Sequence, residues 1–288
     1  MKYRFIETCP QRFAVSRLCV VLGISRSAYY AWKKHKTSQR EQNNQALIEH
    51  IRRIYKKYRK TYGSPRIYAQ LKKEGISCNQ KRVARLMHQD GLTGQRKHRK
   101  IITTDSKHSF PVAPNVLNRE FQAEKPNQKW VADITYIPTE EGWLYVAGIL
   151  DLFSRRIVGW DMSAQIDAVL VENALRMALY QRQPNKDLLH HSDRGSQYAS
   201  HVIRNILVAN QITVSMSRKG NCYDNAVMES FWGTLKNEWV HHQKYQTRSQ
   251  ARTDIFSYIE GFYNTVRLHS SLGYLSPSEF EAKYQKSP

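Results

Sequence analysis

Three carboxylates stand where carboxylates are costly or unexpected. Asp133 falls in the middle of WVADITYIP, a run with the composition of a strand. An acid is disfavoured there and expensive to bury unless it is paired or holds a metal. Asp193 directly follows LLHHS, at the carboxyl end of a short buried strand, where open α/β sheets present their ligands. Glu229 belongs to NCYDNAVMESFWGTLKNEW, residues 221–239. At helical spacing Val227, Met228, Phe231, Trp232, Leu235 and Trp239 form one apolar stripe, and Glu229 lies about 60° beyond its edge, with Lys236 two turns on and nearly in line. In isolation, a Glu and a Lys on such a helix read as a solvated pair. Taken together, the acids are hard oxygen donors of the kind Mg²⁺ accepts. The second follows the first by 60 residues and the third follows the second by 36.

The elements that must position these acids follow from periodicity. QKWVADITYIP, WLYVAGILDLF and RRIVGWDMS read as three successive strands, and DAVLVENALRMALYQR as an amphipathic helix. LLHHSD is a short strand, HVIRNILVANQ a helix and ITVSMS a last strand before the helix that carries Glu229. This order of elements predicts a ribonuclease-H-like α/β fold of the integrase-core type.

The front of the chain is different in kind. Residues 1–110 hold 26 Lys and Arg against 6 Asp and Glu, while residues 111–288 hold 19 against 18, so nearly all of the net charge of +21 is in the first part. Such asymmetry predicts a polyanion-binding module joined to a nearly neutral one, with nucleic acid the better partner because no basic amphipathic anchor or lipidation signal stands out. The front is also helical in pattern and repeats one cadence. In RLCVVLGISRSAYYAWKK, Ser25 can cap a second helix carrying Arg26, Tyr29, Tyr30 and Lys33. In PRIYAQLKKEGISCNQKRVARLM the same Gly-Ile-Ser precedes a helix with Lys81, Arg82 and Arg85. Each stretch is a candidate helix-turn-helix whose second helix could enter a major groove, with these five cations as candidate DNA contacts. Core packing is the expected role of most of Tyr29, Tyr30 and Trp32.

The expected divisions are a first helix-turn-helix segment over 1–40, a second helical DNA-binding domain over 41–100, a linker over 101–124 lying partly along another surface, and a catalytic domain with a helical tail over 125–288. Cys9, Cys19, Cys78 and Cys222 are far apart, without C-x-x-C or zinc spacing, and read as reduced thiols. No signal peptide opens the chain, and WLYVAGIL is too short to span a bilayer, so a cytoplasmic, nucleoid-associated location without membrane contact is expected.

WVADITYI, HSDRGSQY, YDNAVMESFWGTLKNE and YNTVRLHSSLGYLSP, in this order, resemble insertion-sequence transposases of the IS-three family, second-frame (OrfB) product, within the DDE superfamily that includes retroviral integrases. The resemblance spans nearly the whole chain. It implies that Asp133, Asp193 and Glu229 are catalytic and metal-binding, and that Lys236 is the DNA-positioning lysine seven residues after the glutamate. It also implies two Mg²⁺ ions, with Mn²⁺ able to substitute, and metal-assisted cleavage of element ends followed by attack of the 3′-hydroxyl on another DNA strand. The expected partners are terminal-repeat and target DNA, further copies of the chain on DNA, and an upstream-frame (OrfA) protein or fusion. The alternatives are a DNA-binding regulator or inactive relic, and a structure-specific nuclease on the same fold.

Other polar residues carry their own expectations. Asp151 is expected to cap its strand or pair with Arg155 or Arg156. His190 and His191 suit Mg²⁺ poorly, and one of them could orient Asp193 or contact DNA. Asp224 and Asn225 are expected to form a turn and cap that aim Glu229. Arg267 and His269 either contact the DNA backbone or pack against the core. The zinc module of retroviral integrases and a long heptad zipper are both missing from the pattern.

Overall fold

The computed structural model describes residues 2–9, 13–34, 38–95 and 111–286. The first part of the expected linker, residues 101–110, and the basic run RKHRK before it lie outside the described residues.

Three short helices, α1 (Lys2–Thr8), α2 (Val15–Val21) and α3 (Arg26–Lys34), gather around Ile6, Cys19 and Tyr29. Ser25 caps α3 as expected, its Oγ accepting from Ala28 N–H at 3.1 Å. The ring of Trp32 stacks on Tyr3 at 5.5 Å, which accounts for the aromatic density of this segment as packing.

A second helical group comprises α4 (Gln39–Lys57), α5 (Ser64–Lys73) and α6 (Gln80–Gln89). A Ser38–Glu41 capping box starts α4. Asn79 caps α6, accepting from Lys81 N–H at 2.8 Å.

The remainder is built on a five-stranded sheet. Its strands are β1 (Lys129–Thr139), β2 (Gly142–Asp151), β3 (Ile157–Ser163), β4 (Leu189–Ser192) and β5 (Thr213–Met216), in the spatial order β3-β2-β1-β4-β5. The first three form an antiparallel meander, while β4 runs parallel to β1 and β5 parallel to β4. Two helices, α7 (Ala168–Arg182) and α8 (His201–Ala209), cover one face around Trp130, Ala132, Ile149 and Leu175. The other face carries α9 (Ala226–Glu238) and α10 (Arg248–Phe256), the latter running on into a π-helical turn over Ser257–Tyr263, and α11 (Pro277–Gln285) follows in the tail. This is the expected mixed α/β order.

Two glycines set the distance between helices and sheet. At Gly159 on β3 a Cβ would fall 2.3 Å from the Ala174 carbonyl oxygen of α7, and at Gly148 on β2 it would fall 2.7 Å from Met228 Cε and 2.9 Å from Trp232 Cη2 of α9. Both helices therefore sit closer to the sheet than any other side chain would permit.

The second helical group is not a free module. Its core residues Ile51, Ile54, Ile67 and Leu71 belong to one continuous apolar cluster with Met228, Trp232, Ile255 and Phe262. Arg66 Nε donates to the Leu268 carbonyl at 2.9 Å, Leu268 N–H donates to Tyr62 Oη at 2.9 Å, and the Arg59 guanidinium lies 3.6 Å over the Trp239 ring. Residues 111–121 run along β5, with Val116 and Leu117 N–H donating to Ser215 Oγ and Leu117 buried.

Candidate active site

Asp133 lies on β1 directly across from Gly148 of β2 and is half-buried. Its carboxyl is pushed well above the ordinary carboxylate range, first by burial and then by the negative charge of Asp193, with Glu229 adding to the effect. Asp133 thus feels the negative charge of both other acids. Asp193 follows β4, and its Oδ1 accepts from Gly195 N–H at 2.9 Å. Glu229 stands in the first turn of α9, where the exposed N–H groups and helix dipole favour a carboxylate. Tyr198 is buried beside this group, its phenol held well above its usual range by burial and by the charges of Asp133 and Asp193.

Among the described residues no three His, Cys, Asp or Glu side chains stand at metal-ligating spacing. The donors nevertheless fit a hard divalent cation in kind, since they are carboxylate oxygens whose mutual repulsion a positive ion would relieve.

The approach of α9 is fixed at its start. Asn225 occupies the N-cap position but makes no capping bond; its Nδ2 donates instead to the Ala132 carbonyl at 2.9 Å, tying the helix to the strand residue before Asp133. Asp224 is fully buried and accepts from Arg218 N–H, Nε and Nη2, from Arg119 Nε and from Asn115 Nδ2, all between 2.7 and 2.9 Å. The Arg218 hydrogen bonds hold this carboxyl far below the ordinary range against its burial. The pair therefore fixes the start of α9 by bracing, and not by the expected cap.

Lys236 lies on the same helix with its Nζ 4.4 Å from the centre of the Tyr136 ring. Burial draws its ammonium below the usual lysine range while Asp133 opposes that drift. Lys236 and Asp133 therefore interact, and a cation-π contact steadies the lysine.

The expected DNA contacts separate into two places. Lys81, Arg82 and Arg85 line one hollow of about 600 Å³ together with Arg40, Asn43 and Asn79, and Arg82 Nε is tied to Asn44 Oδ1 at 2.9 Å. Arg26 and Lys33 are exposed on α3, within the separate N-terminal cluster.

Three expectations are corrected or settled. Asp151 is buried, accepts from Asn127 and Phe153 N–H, and pairs with Arg182 at 3.4 Å rather than with Arg155 or Arg156; Arg156 turns to Glu281. Burial lifts the Asp151 carboxyl to about 6. His190 and His191 are both buried, so neither is positioned to meet DNA. His191 lies between Ser215 Oγ at 2.8 Å and Ser217 Oγ at 3.1 Å. Because Ser215 Oγ already accepts two backbone N–H groups, its hydroxyl donates to Nδ1 and the proton sits on Nε2. Arg267 and His269 pack: Arg267, 5% exposed, forms a two-point pair with Glu238 at 2.7 Å on each arm, and His269 is 9% exposed. Sequence reasoning missed Tyr198, Tyr136 and the bracing arginines Arg119 and Arg218. Tyr198 alone carried a signal, its place five residues after Asp193 in HSDRGSQY.

Family descriptions match most of the chain: an integrase core domain over residues 123–222, a second integrase core domain over residues 210–277, and an HTH-like domain over residues 42–100. The chain is 46% identical to the insertion element IS600 uncharacterized 31 kDa protein of Shigella sonnei, over 93% of this chain and 99% of that protein. It is 40% identical to transposase InsF for insertion sequence IS3A of Escherichia coli (strain K12), over 98% of this chain and 99% of that protein. Similar solved structures include a simian T-cell lymphotropic virus intasome in complex with PP2A regulatory subunit B56 gamma, at 13% identity, TM-score 0.48 and coverage of 79% of this chain and 72% of that one. The HTLV-2 integrase catalytic core domain in complex with magnesium is another, at 14% identity, TM-score 0.43 and coverage of 56% and 99%.

Proposed function

The chain belongs to the insertion-sequence transposases of the IS-three family, and from that premise we propose that Asp133, Asp193 and Glu229 are its catalytic carboxylates, acting in a Mg²⁺-dependent DNA strand cleavage and joining reaction. The observation that carries this reading is the convergence of the acids: Asp133 lies on β1, Asp193 follows the adjacent parallel strand β4, and Glu229 stands in the first turn of α9, which Asn225 ties to Ala132 beside Asp133.

Asp133, Asp193 and Glu229 would hold the metal, with two Mg²⁺ ions expected and Mn²⁺ able to substitute. When bound, such ions neutralise charge on the phosphoryl oxygens and favour deprotonation of the attacking water or 3′-hydroxyl. The protein's own part is positioning. Asn225 and Asp224 brace the start of α9 so that Glu229 faces the strand acids, and Gly148 admits the helix to that distance. Lys236, steadied on Tyr136, offers its ammonium to a phosphate near the cut. Lys81, Arg82 and Arg85 on α6, and Arg26 and Lys33 on α3, engage duplex DNA through its backbone and grooves, as an HTH-like front suits.

The division into 1–40, 41–100, 101–124 and 125–288 belongs to this reading, as do assembly of several copies on element ends, cooperation with an upstream-frame protein, and work at the nucleoid. No helix among the described residues is long and apolar enough to cross a membrane.

The test is Glu229→Gln, which keeps shape and removes charge. With labelled element-end duplex in Mg²⁺ or Mn²⁺, cleavage and joining should collapse while circular dichroism and gel shift remain those of the parent; Asp133→Asn and Asp193→Asn should match it. Near-normal cleavage by folded, DNA-bound Glu229→Gln protein would remove the assignment.

A further inference from the structure

Beyond the acids, the β1–β2 hairpin carries an aromatic arrangement that the cleavage reaction alone does not require. Lys236 Nζ rests 4.4 Å from the Tyr136 ring centre, and the Tyr136 ring meets Trp143 edge to face, with centres 4.9 Å apart and planes at 82°. Trp143 is 48% exposed, at the start of β2. Here its backbone is held firmly: Arg248 Nε donates to the Trp143 carbonyl at 3.0 Å, and Arg248 N–H donates to Glu141 Oε2 at 2.8 Å. The ring is therefore presented on a held hairpin end, in contact with Tyr136, with Lys236 against the Tyr136 ring and Arg248 against the Trp143 backbone.

We propose that Trp143 is a stacking platform for an unpaired nucleobase of the DNA strand leaving the active site. The inference rests on the acid assignment above, which locates the reacting phosphate. Trp143 pairs with Pro138, five residues along β1 from Asp133 and on the opposite face, about 17 Å at the strand rise, so a strand leaving the acids must pass the hairpin end to reach it over several nucleotides. An aromatic face flanked by cations is the arrangement that binds single strands, because every base has a π-face and phosphates follow the positive charge. A base in the interior of a duplex does not suit it, since both of its faces are covered by neighbouring pairs. Tyr136 thereby has two duties: its face carries Lys236 and its contact with the indole fixes the platform's tilt.

The experiment uses the full chain in EDTA with two duplexes of the element's terminal sequence, one blunt and one ending in a short single-stranded 3′ tail that carries 2-aminopurine at successive positions. The parent protein should prefer the tailed duplex roughly tenfold and quench 2-aminopurine at one tail position, as expected for one stacked base. Trp143→Ala should lose the preference and the quenching together, whereas Trp143→Phe should retain most of both. Unchanged preference and quenching in folded Trp143→Ala would overturn the proposal. So would a loss of self-association by Trp143→Ala in the absence of DNA, which would make the indole a contact between copies. Stacking is read without divalent metal and the acids by cleavage in Mg²⁺, so the two readings fail separately.

Discussion

Gly148 offers the sharpest test of how the sheet sets the site. A Cβ there would lie 2.7 Å from Met228 Cε and 2.9 and 3.1 Å from Trp232 Cη2 and Cζ2, whereas carbons pack at about 3.5–4.0 Å. Gly148→Ala therefore requires α9 to retreat by roughly 0.6–1 Å, unless the methionine end alone gives way; the indole ring cannot flex. Overpacking of this kind costs about 1–3 kcal/mol, offset by about 0.4–1 kcal/mol from the lower entropy of the unfolded alanine chain, leaving a net loss of about 1–2 kcal/mol. The functional loss should exceed the structural one. Glu229 is the residue after Met228 on the displaced helix, and a misplacement near 1 Å costs on the order of a hundredfold in rate. Urea denaturation and cleavage of labelled end DNA measure the two losses. Met228→Ala alone should destabilise by about 2–5 kcal/mol through its cavity, yet in the double variant it makes room for the new methyl, so the two changes should couple by about 0.5–3 kcal/mol. A Gly148→Ala protein with parental stability and cleavage, or a strictly additive double variant, would refute the claim that this glycine sets the approach of Glu229.

Three further outcomes are expected. Lys236→Ala should weaken engagement of the element end in a footprint while stabilisation by Mg²⁺ persists, because a cation next to Tyr136 can position phosphate but cannot ligate metal. Lys81→Ala, Arg82→Ala and Arg85→Ala combined should reduce DNA affinity across sequences and flatten the plot of log affinity against log salt by about 0.9 for each phosphate no longer neutralised. Burial lowers His190 from its ordinary value of 6.5 to about 4, so the unfolded chain takes up the proton first, and stability should decline as pH falls from 6.5 towards 4. His190→Leu should make the melting temperature less dependent on pH in that window, as read by a thermal scan at fixed ionic strength.

What was legible in the sequence was whatever depends on local pattern. The strands and helices around the acids follow from apolar periodicity, and Asp133 was conspicuous because a strand interior penalises an unpaired acid. What was illegible depends on partners brought from far along the chain. Asp151 finds Arg182 across 31 residues instead of its neighbours Arg155 and Arg156, because Arg182 at the end of α7 also serves Glu281. The second Gly-Ile-Ser turn resembles the first in sequence, but Asn79, immediately before α6, supplies the cap by accepting from Lys81 N–H. The charge asymmetry suggested a detachable basic module. It gave no sign that Tyr62, Arg59 and Arg66 would dock that module on the tail, because docking is written in a few aromatic and arginine contacts rather than in net charge.

These contacts meet at α9, which explains why that helix is amphipathic along its whole length and acidic at both ends. Its first turn carries Glu229 toward Asp133. Its last residue, Glu238, is buried and accepts from Arg267 at 2.7 Å on each arm, from Arg66 at 3.3 Å and from Tyr258 Oη at 3.3 Å. Carboxylates are expensive to bury, and this one is tolerated because two guanidinium groups and a phenol satisfy it. Arg66 belongs to α5 of the basic helical group and Arg267 to the tail, so one carboxylate joins three parts of the chain. Glu238 is nine residues, about 13 Å, from Glu229 along a continuous helix. The helical group cannot shift against the sheet without either breaking this buried cluster or moving α9. The orientation of the basic surface and that of the candidate catalytic glutamate are consequently set by the two ends of one rigid element.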